Sequence, residues 1–271
     1  MTVGHWLAEA TAKLTAVGIA TAHLDALVLM EDCTQIDRAQ LLAHPELELK
    51  PSKQKTLDLQ IGRRVLHEPL SYIRNKTEFY GREFYIDHRV LEPRPESETM
   101  IDLLKALPFT PATAIIDVGT GSGAIAITVK LELPYAKVMA IDIDAGSLNV
   151  ARQNAEALEV DVQFIKGDLL RPLYTHYRRE KYILLCNLPY VPNGFQVNPA
   201  ALQEPHIAIF GGADGLDLYR KLFEQIDPLV YKPRLVLTEC LPPQQDALAA
   251  IARTHGYSLR QTEDFIQVFE F

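Results

Sequence analysis

The motif Asn187-Leu188-Pro189-Tyr190 follows a short apolar run that ends at Cys186. The run predicts a buried parallel strand, and open α/β sheets bind their ligands at the carboxyl ends of such strands. The Asn187 side chain offers one acceptor oxygen, and Pro189 leaves the carbonyl of Leu188 pointing outward. Two acceptors beside the ring of Tyr190 predict a pocket for a planar NH2 group, either a carboxamide or the exocyclic amine of a base. The alternative is a strand followed by an ordinary proline turn.

A glycine-rich turn, Gly119-Thr120-Gly121-Ser122-Gly123, joins an apolar strand pattern to an apolar helix pattern. Glycines let the backbone approach a ligand closely and adopt positive φ. The next strand pattern ends in Asp142, whose carboxylate can accept hydrogen bonds from ribose hydroxyls. This combination predicts a site for a nucleoside-bearing cofactor rather than a purely structural turn.

Two observations narrow the choice of cofactor. Ala124 and Ile125 follow Gly123 where a dinucleotide-binding motif would place its last glycine. Asp117, just before the turn, would repel a pyrophosphate but suits a cation such as the ammonium or sulfonium of S-adenosylmethionine. Asp168, followed by Leu169, comes after a third strand pattern and is predicted to lie at the adenine end of the cleft; a helix or turn cap is the alternative.

The composition is that of a globular protein, with 48% hydrophobic and 23% charged residues among 271. The net charge of -8 argues against broad binding to nucleic acid, so a nucleic-acid partner is not expected. The sequence shows no membrane span or signal peptide, and Cys33, Cys186 and Cys240 are interpreted as reduced thiols of a cytoplasmic protein. The eight histidines have no metal-ligand spacing, so no metal site is predicted. The basic cluster Arg171, Arg178, Arg179 and Lys181 is interpreted as a solvated loop.

Three regions are predicted along the chain. Residues 1–75 have helical patterns, with Asp37 and Ser52 as candidate helix caps, and form a small all-α domain for docking a macromolecular substrate. A helix-turn-helix is an alternative that the near-neutral charge disfavours. Residues 76–95 form a β-hairpin linker. The segment Pro93-Arg94-Pro95-Glu96 is either a plain linker or a rigid strap over a ligand, and an α/β domain covers 96–271.

The α/β region alternates strand and helix patterns, which is typical of a mostly parallel sheet with helices on both faces. Seven strands are predicted, and the last two are joined by a tight turn, so the final strand should run antiparallel. The predicted ranges are about 113–118, 136–141, 162–166, 182–186, 233–239, 257–262 and 265–270.

Residues 117–123 resemble the first motif of class I S-adenosylmethionine-dependent methyltransferases. The chain resembles more closely the PrmC/HemK family of peptide chain release factor N(5)-glutamine methyltransferases. The matching stretches are Glu68-Pro69-Leu70-Ser71-Tyr72-Ile73, Glu83-Phe84-Tyr85, Pro93-Arg94-Pro95-Glu96-Ser97-Glu98, the glycine turn and Gly211-Gly212-Ala213-Asp214-Gly215-Leu216. The chain departs from the family by Leu188 in place of a proline, by the lack of glycines at 239–243, and by the missing Gly-x-Asp-Arg stretch after Phe271.

This resemblance implies a Rossmann-like methyltransferase domain behind a small α-domain, with S-adenosylmethionine as cofactor and S-adenosylhomocysteine as product. It also implies methylation of the glutamine in the Gly-Gly-Gln motif of release factors. The residues expected to bind the cofactor are Asp117, Gly119, Thr120, Gly121, Ser122, Gly123, Asp142, Asp168, Leu169, Asn187, Arg94 and Glu96. Asn187, Leu188, Pro189 and Tyr190 are the expected catalytic residues.

Two other functions stay open at this point. Asn187-Leu188-Pro189-Tyr190 also resembles the motif of adenine dimethyltransferases, which makes an adenine N(6)-methyltransferase acting on RNA or DNA the alternative substrate class. A cofactor-binding module that only docks a partner is the third interpretation, and the intact motif argues against it.

Overall fold

The computed structural model describes residues 1–108, 110, 113–176 and 181–271. The chain divides into two compact units, of which the first comprises 1–76 and 197–203 and the second comprises 77–196 and 204–271. The predicted hairpin region belongs to the second unit. Arg178 and Arg179 of the basic cluster lie outside the described residues.

The first unit is helical, as predicted. Its helices are α1 (Val3–Ala16), α2 (Ala22–Thr34), α3 (Arg38–Ala43), α4 (Pro51–Val65) and α5 (Leu70–Arg74), with a 3-10 turn at Ala201–Gln203. Their apolar faces meet in one core that contains Trp6, Leu14, Leu29, Leu57 and Ile61. Burial of these side chains is the main source of stability for helices of this length.

The local signals for helix starts were only partly correct. The Asp37 side chain caps α3 by accepting a hydrogen bond from the backbone N–H of Gln40 at 3.0 Å. The predicted cap at Ser52 is wrong, because Pro51 occupies the first turn of α4 and Lys50 is the cap residue. Proline favours this first position because its missing N–H has no partner there in any helix.

The second unit starts with a hairpin of β1 (Thr77–Phe79) and β2 (Arg82–Phe84), followed by a 3-10 turn at Pro95–Ser97 and α6 (Glu98–Ala106). Strands and helices then alternate. They are β3 (Ala114–Val118), α7 (Ala124–Glu132), β4 (Lys137–Asp142), α8 (Ala145–Ala157), β5 (Gln163–Lys166), α9 (Leu173–His176), β6 (Tyr182–Cys186), α10 (Asp217–Ile226), β7 (Leu235–Glu239), α11 (Gln245–Thr254), β8 (Ser258–Glu263) and β9 (Ile266–Glu270).

The strands β3 to β9 form one seven-stranded sheet in the order β5-β4-β3-β6-β7-β9-β8. Neighbours from β5 through β7 are parallel, whereas β9 is antiparallel to both β7 and β8. The predicted mostly parallel sheet with an antiparallel last strand is therefore confirmed. The central strands β3, β6 and β7 are buried along their whole length, which explains their continuous apolar runs.

The sheet order places the carboxyl ends of β3, β4 and β6 side by side. In the register, Val118 pairs with both Ile141 and Cys186, so the residues that follow these three strands share one edge. The chain order reverses between β3 and β6, which is the position where open α/β sheets leave a crevice for a ligand.

Two further features concern the chemistry of the chain. Among the described residues, none of the helices combines the length and the apolar character that crossing a bilayer requires. Cys33, Cys186 and Cys240 are free thiols, and no group of metal-ligand side chains occurs in the described part of the chain.

Candidate active site

The glycine turn between β3 and α7 is tied to the end of β4. The N–H groups of Gly119 and Thr120 both donate to the carbonyl of Ile141, at 2.8 and 3.1 Å. Gly119 has a φ of 78°, and a Cβ at this position would lie 3.0 Å from the Cδ2 of Leu188. Only glycine allows this backbone conformation together with so close an approach of the Asn187–Tyr190 segment.

Asp142 fixes the turn from the other side. Its Oδ2 accepts a hydrogen bond from the N–H of Gly121 at 2.9 Å, and its Oδ1 accepts one from the N–H of Asp144 at the same distance. Burial raises the pKa of Asp142, and these backbone hydrogen bonds counteract the rise. Each carboxylate oxygen retains a second lone pair for a ligand.

Asp117 lies behind the turn and is only 1% exposed. Its Oδ2 accepts a hydrogen bond from the Thr120 hydroxyl at 2.6 Å, whereas its buried Oδ1 has no partner among the described residues. Burial raises the pKa of Asp117 from 3.8 to about 7. A buried carboxylate oxygen without a donor is costly, and a cationic ligand close to the turn would offset that cost.

A cavity of about 520 Å³ opens at this edge of the sheet. The predicted site residues that line it are Gly119, Gly121, Asp142, Asp168, Leu169, Asn187, Leu188 and Pro189. Its wall also includes residues 88–91 and 205, 207 and 208. The predicted site residues that do not line it are Asp117, Thr120, Ser122, Gly123, Tyr190, Arg94 and Glu96.

Asp168 faces a lysine within this cavity wall. The Lys221 ammonium from α10 donates to Oδ1 of Asp168 at 2.8 Å, and the Arg171 guanidinium lies 3.5 Å from Oδ2. The next residue, Leu169, has a φ of 52°, which is uncommon for a residue with a branched side chain. Gln225 holds this turn in place because its Oε1 accepts from the N–H of Leu170 at 2.8 Å.

Asn187 and Leu188 both line the cavity, and each carries an oxygen acceptor. The Asn187 Nδ2 donates to the Ser97 hydroxyl at 2.8 Å, which leaves its Oδ1 as the remaining polar atom of the carboxamide. Among the described residues, no donor contacts the carbonyl oxygen of Leu188. The Leu188 side chain itself is buried against the glycine turn. The two acceptors predicted from the sequence therefore belong to residues that line one cavity with the turn.

The segment 209–215 clamps the backbone of this motif. Val191 exchanges hydrogen bonds with it, donating to Ile209 at 3.0 Å and accepting from Gly211 at 2.9 Å. A Cβ on Gly211 would lie 2.2 Å from the carbonyl oxygen of Pro189. Gln244 adds a further constraint, because its Nε2 donates to the carbonyl of Tyr190 at 2.7 Å.

A buried carboxylate, Glu239, stands next to Asn187. It is 1% exposed and accepts from the Ser97 hydroxyl at 2.6 Å and from the Tyr190 hydroxyl at 2.9 Å. Burial raises the pKa of Glu239, and these two hydrogen bonds, together with a contact from the Asn187 side chain, counteract the rise. Burial and the nearby Glu239 charge raise the pKa of Tyr190 well above its usual value, so its phenol stays protonated and remains a donor.

The Pro93–Glu96 segment is anchored by an ion pair. The Arg94 guanidinium lies 2.5 Å from a carboxylate oxygen of Glu204, whose side chain is 1% exposed. Burial raises the pKa of Glu204 to about 7, and the Arg94 charge opposes this. Glu96 is exposed, and its charge contributes to the raised pKa of both Tyr190 and Glu239. The segment thus carries Ser97 to its position beside Asn187.

Several site residues were given no role on the sequence alone. They are Ser97, Glu239, Lys221, Gln244 and Asn154. The Nδ2 of Asn154 donates to the backbone carbonyls of Tyr85 and Ser122, each at 2.9 Å, and so connects these two segments. One of them had a usable signal. Cys186 pairs with Thr238, so Glu239, the last residue of β7, lies at the same level of the sheet as Asn187, the residue after β6. A polar residue at the end of a second apolar run marks this sheet edge.

Two families of known domains match the chain: the PrmC N-terminal domain over residues 5–74 and the methyltransferase small domain over 97–204. The release factor glutamine methyltransferase of Deinococcus radiodurans is 32% identical over 95% of this chain and 92% of its own length. The enzyme of the same name from Moorella thermoacetica is 36% identical over 94% and 91%. The chain belongs to the release factor glutamine methyltransferase family. As a member of this family it is a methyltransferase, and S-adenosylmethionine is its methyl donor.

The fold of this family member also occurs in more distant proteins. The hMettl16 catalytic domain, solved in complex with MAT2A 3'UTR hairpin 1, is 16% identical and superposes with a TM-score of 0.57 over 90% of this chain and 89% of that one. At this identity the similarity concerns the fold alone.

The cavity of this family member fits the cofactor. Its volume lies within the range of small-molecule sites, and the carboxylates among its lining residues are the acceptors that a cationic ligand with ribose hydroxyls needs. The unpaired Oδ1 of Asp117 lies just behind the same turn.

Proposed function

We propose that this enzyme transfers a methyl group from S-adenosylmethionine to the side-chain amide nitrogen of the glutamine in the Gly-Gly-Gln motif of peptide chain release factors, and so modulates translation termination. One observation carries the proposal: Asn187 and Leu188 line the same cavity as Gly119, Gly121 and Asp142. The names of the relatives point to the same substrate. Translation takes place in the cytoplasm, which is therefore the proposed location.

The cofactor is assigned to the glycine-turn side of the cavity. Gly119 and Gly121 would lie against it, Asp142 would accept from its ribose, and Asp168 and Leu169 would face its adenine. Asp117, Thr120, Ser122 and Gly123 would shape the turn from behind. Arg94 and Glu96 would contribute to cofactor binding from the Pro93–Glu96 strap, outside the cavity wall. When bound, S-adenosylmethionine supplies a methyl group that its sulfonium has already activated.

The chain's own part in the reaction is to orient the substrate amide. An amide nitrogen is a poor nucleophile because its lone pair is delocalised. In the proposed binding mode, Oδ1 of Asn187 and the carbonyl of Leu188 accept the two amide hydrogens. These acceptors position the nitrogen and stabilise the positive charge that develops on it. Pro189 would hold the turn. The ring of Tyr190, which does not line the cavity, would reach the amide plane only from behind the cavity wall.

The helical residues 1–75 are proposed to dock the protein substrate, with the hairpin region 76–95 as a linker to the methyltransferase domain. The relatives' names attach this family to a protein substrate rather than a nucleic acid. A protein substrate large enough to need docking is consistent with an additional domain of this size.

The substrate assignment is tested with purified enzyme and cofactor carrying a labelled methyl group. We expect label in a release factor, and none in its Gln-to-Ala variant at the Gly-Gly-Gln motif or in ribosomal RNA. Label in the RNA alone would instead establish the adenine methyltransferase. Label in neither substrate would remove both proposed substrate classes.

The site assignment is tested separately with Asn187→Ala. We expect turnover to fall by roughly 10²–10³-fold, as after loss of an oxyanion-hole donor, while calorimetry shows cofactor binding retained. Asn149→Ala on the exposed face of α8 is the matched control and should keep full turnover. Full turnover in Asn187→Ala would remove the assigned role of this side chain.

A further inference from the structure

Ser97 and Glu239 form a buried polar pair beside the proposed substrate amide. Both side chains are 1% exposed, although they lie 142 positions apart in the chain. Ser97 ends the 3-10 turn that follows the Pro93–Glu96 strap, whereas Glu239 is the last residue of β7. Buried polar pairs of this kind are retained only where every hydrogen bond is made, because an unpaired member is costly.

The hydrogen atoms of this network can be assigned by counting. A carboxylate has no hydrogen to donate, so the Ser97 hydroxyl donates its only hydrogen to Oε2 of Glu239, at 2.6 Å. Toward Asn187, 2.8 Å away, the Ser97 oxygen can then only accept. The NH2 of the Asn187 carboxamide must therefore face Ser97, and its oxygen is left for the cavity.

The second carboxylate oxygen of Glu239 is also occupied. It accepts from the Tyr190 hydroxyl at 2.9 Å, and the Gln244 amide holds the carbonyl of Tyr190 at 2.7 Å. One buried carboxylate thus connects to both ends of the Asn187–Tyr190 motif. Its backbone carbonyl contacts the Tyr219 hydroxyl, which also lies 3.0 Å from the carbonyl of Cys186, the residue before Asn187.

We propose, given the role of Asn187 proposed above, that Ser97 and Glu239 are positioning residues that fix the Asn187 carboxamide with its oxygen toward the substrate. Without them the carboxamide can turn over and present its NH2 group. The NH2 group of Asn187 would then face the NH2 group of the substrate amide, which would lose one of its two acceptors. The pair sets the polarity of the site without touching the substrate.

The test uses Ser97→Ala and Glu239→Met, each alone and each combined with Asn187→Ala. Glu239→Met removes the acceptor while nearly conserving volume, so the Ser97 hydroxyl becomes free to donate to Asn187 and reverse the amide. We expect either single variant to lower kcat by about tenfold or more, the effect of losing one hydrogen bond to a charged group. In the Asn187→Ala background Ser97→Ala should not lower kcat further, because the group that it positions is gone. Glu239→Met also removes the acceptor of the Tyr190 hydroxyl and is expected to keep part of its effect there.

Three measurements separate positioning from a general structural role: kcat with a release factor, cofactor affinity by calorimetry, and the thermal midpoint. A loss of packing would lower all three and would add to the effect of Asn187→Ala. We expect cofactor affinity within roughly threefold of wild type, and Ser258→Ala, an exposed control on β8, should match wild type in all three. If Ser97→Ala unfolds, Ser97→Thr retains the hydroxyl and should keep kcat.

Wild-type kcat in a folded Ser97→Ala variant would overturn the positioning role, and so would an equal further loss in the Asn187→Ala background. Failure of the wild-type enzyme to methylate a release factor would be a different result, since it would remove the proposed function itself. If Asn187→Ala lowers kcat and Ser97→Ala lowers it again by its full single-variant factor, the proposed function stands and only the positioning role is removed.

Discussion

Replacing Gly211 by alanine tests whether the 209–215 segment holds the Asn187–Tyr190 motif in place. The new Cβ would lie 2.2 Å from the carbonyl oxygen of Pro189 and 2.5 Å from that of Gly215, whereas ordinary contact starts at 3.4 Å. Both neighbours are backbone atoms, so neither can turn away as a flexible side chain would. The motif or the clamp must therefore move by roughly 1 Å, and a misplacement of that size at a reacting group costs about 10²-fold in rate.

Methyl transfer to a release factor gives kcat for Gly211→Ala, and thermal denaturation gives its stability. We expect kcat to fall by about 10²-fold, with a loss of stability of about 1–3 kcal/mol from overpacking. Gly62→Ala is the matched control, because a Cβ on Gly62 meets nothing within 4 Å. That control should keep kcat and gain stability by up to about 1 kcal/mol, since alanine is the better helix former. Unchanged kcat in a folded Gly211→Ala variant would show that the clamp does not position the motif.

Three further outcomes are expected. Asp142→Ala should weaken S-adenosylmethionine binding by roughly 10- to 100-fold, as for loss of a hydrogen bond to a charged group, and calorimetry would contradict the ribose assignment by showing wild-type affinity. Lys221→Met removes a partly exposed ion pair with Asp168, so the S-adenosylmethionine affinity measured by calorimetry should change by at most about fivefold. Asp117 holds its proton more tightly in the folded protein than its usual value of 3.8, with a pKa of about 7. Its ionisation therefore destabilises the fold as pH rises from about 4 to 7, and chemical denaturation should show wild type losing stability relative to Asp117→Asn across that window and no further above it.

The central strands β3, β6 and β7 could be predicted from the sequence because their apolar runs are buried along their whole length. Prediction and structure agree for Tyr182–Cys186 and differ by one or two residues at the ends of the other strands. The hairpin was predictable as well, because Gly81 separates two short runs that contain aromatic residues; in the structure Tyr80 and Gly81 both adopt positive φ in its turn. Ser52 shows the limit of local signals, because a proline one residue earlier took over the helix start.

The cavity-lining part of the site was predictable because its residues lie at or just after the carboxyl ends of strands, or in the glycine turn. Gly119, Asp142, Asp168 and Asn187 all satisfy that rule and line one cavity. The residues that brace them could not be assigned in the same way. Gln244 reaches Tyr190 across 54 positions, and such a contact depends on the sheet order, which no local pattern encodes. The roles of these residues stay predictions until the variants above are measured.

The oxygens offered by Asn187 and Leu188 have a consequence for which side chains can react. In the proposed binding mode both oxygens are hydrogen-bond acceptors. A glutamate carboxylate would place two more acceptor oxygens against them, with no hydrogen available to form a bond. Sites built for a specific hydrogen-bond pattern reject the wrong analogue by about 10⁴–10⁵-fold. A release factor whose glutamine has deamidated should therefore be ignored by the enzyme, which would thereby discriminate an intact termination factor from a damaged one.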